Sequence, residues 1–189
     1  MSRLLLVALT LLLNGVTGRS YAQAQPEEVC YNPNAIKDTT KKSIKSMAIG
    51  VVGTDSITIA YHSPGVRKRV IWGGLVPLDE VWVTGAHNAT AITFHKPLLI
   101  GGITIAPGKY AIFTIPGQDK WIFILNKNWN QHLASEYDQK DDLVRLEVKP
   151  VPHEHTERLQ YLVEPVKGND GQIVFLWEKL KWVVPFSSK

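Results

Sequence analysis

Apolar and polar residues alternate with a period of two along most of the chain beyond residue 45. Val144, Leu146 and Val148 alternate with charged residues, as in a strand with one face in water. The same alternation occurs over residues 57–62 and 158–163. These segments predict β-strands that each bury one face.

Residues 110–115, 121–125 and 173–177 are apolar on both sides, which predicts strands at the centre of a sheet. Turn residues separate such segments; residues 116–119, Pro-Gly-Gln-Asp, predict a hairpin turn. Helix is nearly absent, with at most short turns near residues 78–83 and 129–137. Nine or ten short strands predict an all-β chain, a single-domain antiparallel β-sandwich.

The first 24 residues have the pattern of a cleaved signal peptide. Arg3 precedes an apolar segment over residues 4–13, and the small-x-small sequence Ala22-Gln23-Ala24 follows it. The apolar segment is shorter than the roughly 20 residues that a membrane-spanning helix needs. We therefore expect cleavage after Ala24 and export to the periplasm or the exterior, rather than a retained anchor helix.

The remainder divides into a polar, extended leader over residues 25–45 and a β-sandwich domain over residues 46–189. Loss of the signal peptide removes two arginines and no acidic residue, so the formal charge of +4 becomes +2. With this small charge and one short basic segment, residues 67–69, nucleic acid is not an expected partner.

No later segment is apolar enough to span a membrane, so we expect a soluble protein. Cys30 is the only cysteine, which excludes an internal disulfide, and we expect an inert thiol.

A series of short motifs occurs in one order over the greater part of the chain. They are residues 69–77 (RVIWGGLVP), 81–86 (VWVTGA), 89–90 (AT), 100–102 (IGG), 106–117 (APGKYAIFTIPG), 126–130 (NKNWN), 137–138 (YD) and 177–179 (WEK). By these motifs, from about residue 57 onward, the chain resembles the bacterial domain-of-unknown-function family 2911. The resemblance implies an exported bacterial protein and brings no established activity with it.

One motif departs from the pattern that such families show, which is Trp-Arg-Thr-Gly-Ala-Asn-Glu-Ala-Thr. This chain has Val83 in place of the arginine, His87 in place of the asparagine and Asn88 in place of the glutamate. If that arginine and carboxylate hold a ligand or perform acid–base chemistry, this chain has lost or replaced them. If they form a salt bridge that fixes a loop, little follows for function.

The same segment, residues 84–90, has the composition of a ligand-binding loop. It is small and polar, contains a glycine, and lies near aromatic residues that can stack on a sugar ring. An ordinary turn, whose Asn and Thr side chains bond to their own backbone, is the structural alternative. The predicted ligand-binding residues are Trp82, Thr84, His87, Asn88, Thr90 and Trp129.

The spacing of the six histidines does not predict a metal site. His153 and His155 are two apart, but Pro150 and Pro152 place them in an expected loop before a strand. No nucleophile elbow or phosphate-binding glycine loop occurs, and neighbouring strand residues such as His62 and Ser63 face opposite sides. We therefore assign no catalytic residue, no metal ligand and no cofactor.

The sequence favours a non-enzymatic binding or envelope-associated module whose ligand is a small molecule or a glycan. The alternative is an uncharacterised hydrolase or metal-dependent enzyme that uses the loop over residues 84–90. The two differ in geometry: the enzyme requires His87, Asn88 and a further titratable group to converge in one pocket.

Overall fold

A computed structural model describes residues 28–36 and 40–189 of the 189-residue chain. The predicted signal peptide and residues 25–27 and 37–39 of the predicted leader lie outside the described residues. Ten strands account for most of the described chain: β1 (Ser43–Val52), β2 (Asp55–Pro64), β3 (Thr90–Phe94), β4 (Leu98–Ile100), β5 (Ile103–Ile105), β6 (Gly108–Ile115), β7 (Trp121–Asn126), β8 (Asp142–Val148), β9 (Val151–Lys167) and β10 (Asp170–Ser188).

The strands form two antiparallel sheets. One has six strands in the order β1-β2-β3-β6-β7-β8, and the other has four in the order β5-β4-β10-β9. The three segments predicted to be central coincide with β6, β7 and part of β10, and each of these strands has a neighbour on both sides. The predicted all-β, single-domain antiparallel fold is confirmed.

Two local predictions differ from the structure. Residues 78–83 contain no helical turn, and the short 3-10 helices lie instead at Pro33–Ala35 and Gln139–Asp141. The prediction of a loop around His153 and His155 is wrong, because this segment is the first part of β9. β9 is an edge strand of its sheet, where a proline costs no ladder hydrogen bond on the open side.

The main hydrophobic core lies between the two sheets. It combines residues of the six-stranded sheet, such as Ile59 and Phe123, with Phe175, Trp177 and Trp182 of β10, all of them buried. Trp121 and Trp177 are core residues, as predicted. Alternation places the intervening residues of the six-stranded sheet on its outer face, which is where the candidate site forms.

A smaller core lies on that outer face. Ala111 and Phe113 of β6 and Ile124 of β7 pack there with Val83 and Ala89. The residues packed around this cluster lie in the segments that precede β3 and β8 or in β6 and β7 themselves, and include Trp82, Ala134 and Tyr137. These contacts hold two connecting segments against the sheet and so create the walls of the cavities described below.

Part of the predicted leader packs on the domain. The Cys30 N–H donates to the Lys45 carbonyl at 2.9 Å, and the Met47 N–H donates to the Cys30 carbonyl at 2.9 Å. This short parallel bridge pairs with β1, the edge strand of the six-stranded sheet, and satisfies part of its free backbone. Over residues 28–36 and 40–189, no helix has the length and apolar character needed to cross a membrane.

Candidate functional site: two cavities separated by a loop

The segment over residues 84–90 is a tightly held loop with strained backbone. Thr84 has φ 51° and His87 has φ 61°, a region that non-glycine residues rarely adopt and that is a strong outlier for a β-branched residue such as threonine. The Thr84 carbonyl accepts hydrogen bonds from the Thr90 hydroxyl at 3.1 Å and the Tyr161 hydroxyl at 3.0 Å. These bonds stabilise a conformation that would otherwise cost about 1–3 kcal/mol.

Close packing fixes the rest of the loop. A Cβ at Gly85 would lie 2.8 Å from Thr90 Oγ1 and 3.2 Å from the His62 carbonyl oxygen, so no side chain fits there. The Trp82 indole N–H donates to the Gly85 carbonyl at 3.1 Å. Thr84 and Thr90 are fully buried, so their side chains hold the loop together rather than face the solvent.

The loop separates two cavities. Asn88 and Ala89 line one of them, whereas Gly85, Ala86 and His87 line the other. A second segment runs alongside: the Ala89 N–H donates to the Gln131 carbonyl at 3.0 Å, and the Leu133 N–H donates to the His87 carbonyl at 2.7 Å. This segment is divided in the same way, because Gln131 and His132 line the first cavity and Leu133 lines the second.

The first cavity, which we call the polar cavity, lies on the outer face of the six-stranded sheet and has a volume of about 420 Å³. Ala60 of β2 pairs with Ala91 of β3, and both line the cavity. These small side chains leave a depression between longer neighbours. Its other lining residues include Lys45, His62, Lys109, Gln131, His132 and Glu136.

Gln131 is a buried polar residue of this cavity, with an exposed fraction of 4%. Its side-chain Nε2 donates to the Asn128 carbonyl at 2.7 Å, an acceptor that fixes which end of the amide is nitrogen. Its Oε1 is buried and has no hydrogen-bond partner among the described residues. A buried acceptor left unpaired costs about 1–3 kcal/mol, which a donor on a bound molecule would recover once a side-chain movement exposed the oxygen to it.

Trp129 lies at the edge of the polar cavity, with an exposed fraction of 39%. The Lys109 ammonium lies 3.6 Å from the centroid of its ring, a cation–π contact. That contact occupies one ring face. A ligand that stacks on Trp129 must therefore use the other face or displace the lysine.

Tyr61 of β2 adjoins the polar cavity, but its ring is buried in the main core, and this burial raises the pKa of its phenol well above the ordinary value. The Tyr161 backbone N–H donates to the Tyr61 oxygen at 3.3 Å. Burial likewise raises the pKa of Tyr161. Both phenols are buried and act as structural hydrogen-bonding groups.

The second cavity, which we call the tryptophan cavity, has a volume of about 350 Å³. The rings of Trp82 and Trp177 stack there with centroids 5.7 Å apart and an angle of 21° between their planes. Leu75 and Leu133 line the same cavity and are both partly exposed. The tryptophan cavity is therefore more apolar than the polar cavity.

The family of the chain follows from a comparison with protein-family models. The model described as "protein of unknown function (DUF2911)" matches residues 41–186. The chain belongs to this family. No curated protein and no solved structure matches this DUF2911 protein.

The departures of this DUF2911 protein from the expected motif fall on both sides of the loop. Val83 is buried in the smaller core and lines the tryptophan cavity. Asn88 is exposed and lines the polar cavity. His87, the third departure, lines the tryptophan cavity as Val83 does. The three departures are therefore divided between the two cavities.

Three histidines meet around the loop. The His62 and His87 ring centroids lie 5.2 Å apart and those of His87 and His132 lie 6.5 Å apart. His87 Nε2 lies 2.9 Å from the Ser43 hydroxyl, and His132 Nδ1 lies 3.3 Å from Asn88 Oδ1. Within the described part of the chain, no group of three or more His, Cys, Asp or Glu side chains is arranged to hold a metal ion.

The structure distributes the six predicted ligand-binding residues among three environments. Asn88 and Trp129 line the polar cavity, Trp82 and His87 line the tryptophan cavity, and Thr84 and Thr90 are buried in the loop. Because His87 and Asn88 line different cavities, they do not converge as the enzyme alternative requires. That these residues bind a ligand remains a prediction.

Sequence reasoning missed several polar groups of the polar cavity. Lys45, His62 and Lys109 lie on strands, where a lone polar residue is indistinguishable from a solvated one. Gln131 and His132 follow the Asn-rich motif over residues 126–130, and their nearness to Trp129 was the only available signal.

Proposed function

We propose that this DUF2911 protein is an exported, non-catalytic binding protein whose polar cavity takes a small polyhydroxylated ligand, of the size of a mono- or disaccharide. The supporting observation is the buried Oε1 of Gln131, an oriented acceptor without a partner among the described residues. A ligand hydroxyl is a donor of the right kind for it.

The rest of the lining favours a ligand that is polar but carries no strong net charge. Lys45 and Lys109 supply cationic donors, and Glu136 supplies an anionic acceptor. Asn88 and His132 add groups that donate and accept. The volume of about 420 Å³ lies in the lower part of the range for small-molecule sites, which favours a compact ligand.

A thermal-shift screen of the purified protein against neutral mono- and disaccharides, followed by calorimetry on any hit, tests this proposal. A sugar present at about 100 times its Kd should raise the free energy of unfolding by about 2.7 kcal/mol. Asn88→Ala and Lys45→Met should each weaken binding by about tenfold, the effect of losing roughly 1.4 kcal/mol of interaction.

Gln118→Ala is the matched control, because Gln118 is exposed in the turn between β6 and β7 and does not line the polar cavity. It should bind like the unchanged protein. If no sugar stabilises the protein, or if Asn88→Ala and Lys45→Met bind as well as the control, the proposed function is wrong. An envelope-associated protein partner would then be the class to search for.

A further inference from the structure

The tryptophan cavity combines apolar walls with charge of a single sign. Two stacked indoles, Trp82 and Trp177, form part of its wall. Lys42, Arg69 and His87 also line it, and no aspartate or glutamate is among its described lining residues. This chemistry differs from that of the polar cavity, which contains both signs of charge.

The Arg69 guanidinium is held in place but is not neutralised. Its Nε donates to the Val66 carbonyl at 3.2 Å and one terminal nitrogen donates to the Gly65 carbonyl at 2.6 Å. Within the described residues, no carboxylate forms an ion pair with Arg69 or Lys42. Carbonyl acceptors orient the guanidinium and leave its full positive charge, together with further N–H donors, for an anion.

Trp177 carries an unpaired donor that is closed to solvent. Its indole Nε1 is buried and has no hydrogen-bond partner among the described residues, whereas the Trp82 indole donates to Gly85. Leu75 and Leu133, with exposed fractions of 43% and 49%, place apolar surface beside the indoles. The cavity therefore offers an apolar slot and unpaired positive charge.

We propose that the tryptophan cavity is a second binding site, selective for a small aromatic carboxylate. The aromatic ring packs against Trp82 and the exposed leucines Leu75 and Leu133, and the carboxylate accepts charge-assisted hydrogen bonds from Arg69 and is attracted by Lys42. The proposal is independent of any sugar in the polar cavity, because the loop over residues 84–90 separates the two sites.

The probes are 2-naphthoate and its neutral analogue 2-naphthamide, measured by calorimetry on the purified protein at low and high salt. The two share one ring system and differ in charge. Naphthoate should bind at least about tenfold more tightly, and salt should reduce this preference because it screens the exposed charges.

A matched pair of variants at Leu133 assigns the binding to this cavity. Leu133 has φ 53°, a conformation that Asp and Asn tolerate better than leucine, so neither substitution strains the backbone. Leu133→Asp places a carboxylate in the lining and should reduce naphthoate affinity at least about tenfold more than Leu133→Asn does. Naphthamide affinity should differ little between the two variants.

Lys42→Met should also weaken naphthoate binding, whereas Arg67→Met should not. Arg67 is exposed in the basic segment over residues 67–69, which also contains Arg69, but Arg67 does not line the cavity. The proposal is overturned if neither probe binds, if naphthoate and naphthamide bind equally, or if Leu133→Asp and Leu133→Asn have the same effect on naphthoate.

Discussion

Thr84 shows how one residue connects the core of the sandwich to the candidate sites. Its carbonyl accepts the Tyr161 hydroxyl from β9, and its own hydroxyl lies 3.0 Å from the Thr114 hydroxyl of β6. Threonine at φ 51° is maintained only because bonds from both sheets hold it. The composition of the segment indicated a binding loop or an ordinary turn, but the distant partners that fix it were not visible in the sequence.

Tyr137 gives a residue-scale prediction about pH. Burial, followed by the hydrogen bond that its hydroxyl donates to Asp142 Oδ2 at 2.6 Å, raises its pKa from 10.0 to about 12. Arg145 donates to the same carboxylate oxygen at 2.7 Å. The folded protein thus holds this proton more tightly than the unfolded chain. Tyr137 therefore contributes stability that is complete below pH 10 and is lost as the pH rises towards 12.

Urea unfolding at a series of pH values from 9 to 12 measures this contribution. Between pH 10 and 12 the free energy of unfolding of the unchanged protein should fall more steeply than that of Tyr137→Phe, which has no group to ionise at this position. Tyr31→Phe removes an exposed tyrosine that does not contact Tyr137, Asp142 or Arg145, and it serves as the control. Equal pH dependence in Tyr137→Phe and the unchanged protein would contradict the assigned role.

At the scale of elements, the apolar pattern placed segments in six of the ten strands, β2, β6, β7, β8, β9 and β10, but did not predict the lengths of the strands. β9 has 17 residues and β10 has 19, whereas the sequence predicted short strands and a loop around His153 and His155. The pairing of β9 with β10 shifts register on either side of Glu178, which has φ 55°. A bulge of this kind lets a strand continue through residues that fit the ladder poorly.

Gly50 of β1 gives an element-scale prediction about how β9 packs on the six-stranded sheet. A Cβ at this position would lie 2.3 Å from the Val163 carbonyl oxygen and 2.7 Å from Val163 Cβ. Gly50→Ala should therefore push β9 away from β1 and lower the free energy of unfolding by about 1–3 kcal/mol.

Denaturant unfolding measures the effect, with Ser56→Ala as the control. Ser56 is exposed on the neighbouring strand β2, so its substitution should change the stability by no more than about 0.5 kcal/mol. An unchanged unfolding midpoint in Gly50→Ala would show that the two strands are not held at this distance.

At the scale of the whole molecule, the candidate sites depend on long-range register that one sequence does not reveal. The polar cavity needs Ala60 opposite Ala91, with Lys109 brought alongside by the pairing of β3 and β6. The sequence located the loop at residues 84–90 by its composition. It did not predict that the loop would separate two cavities, because that depends on its pairing with residues 131–133.

Export is the whole-molecule property on which the proposed function depends, and the sequence makes a specific prediction about it. If residues 1–24 are a signal peptide, the full chain expressed in a bacterial host should yield a mature protein that begins at Gln25, as measured by mass spectrometry of the intact protein. Leu6→Arg interrupts the apolar segment and should leave the uncleaved chain in the cytoplasm, whereas Leu75→Arg lies far outside it and should not affect cleavage. A full-length chain retained in the membrane fraction would favour the anchor helix instead. Cleavage that is unaffected by Leu6→Arg would show that the apolar segment is not the targeting signal.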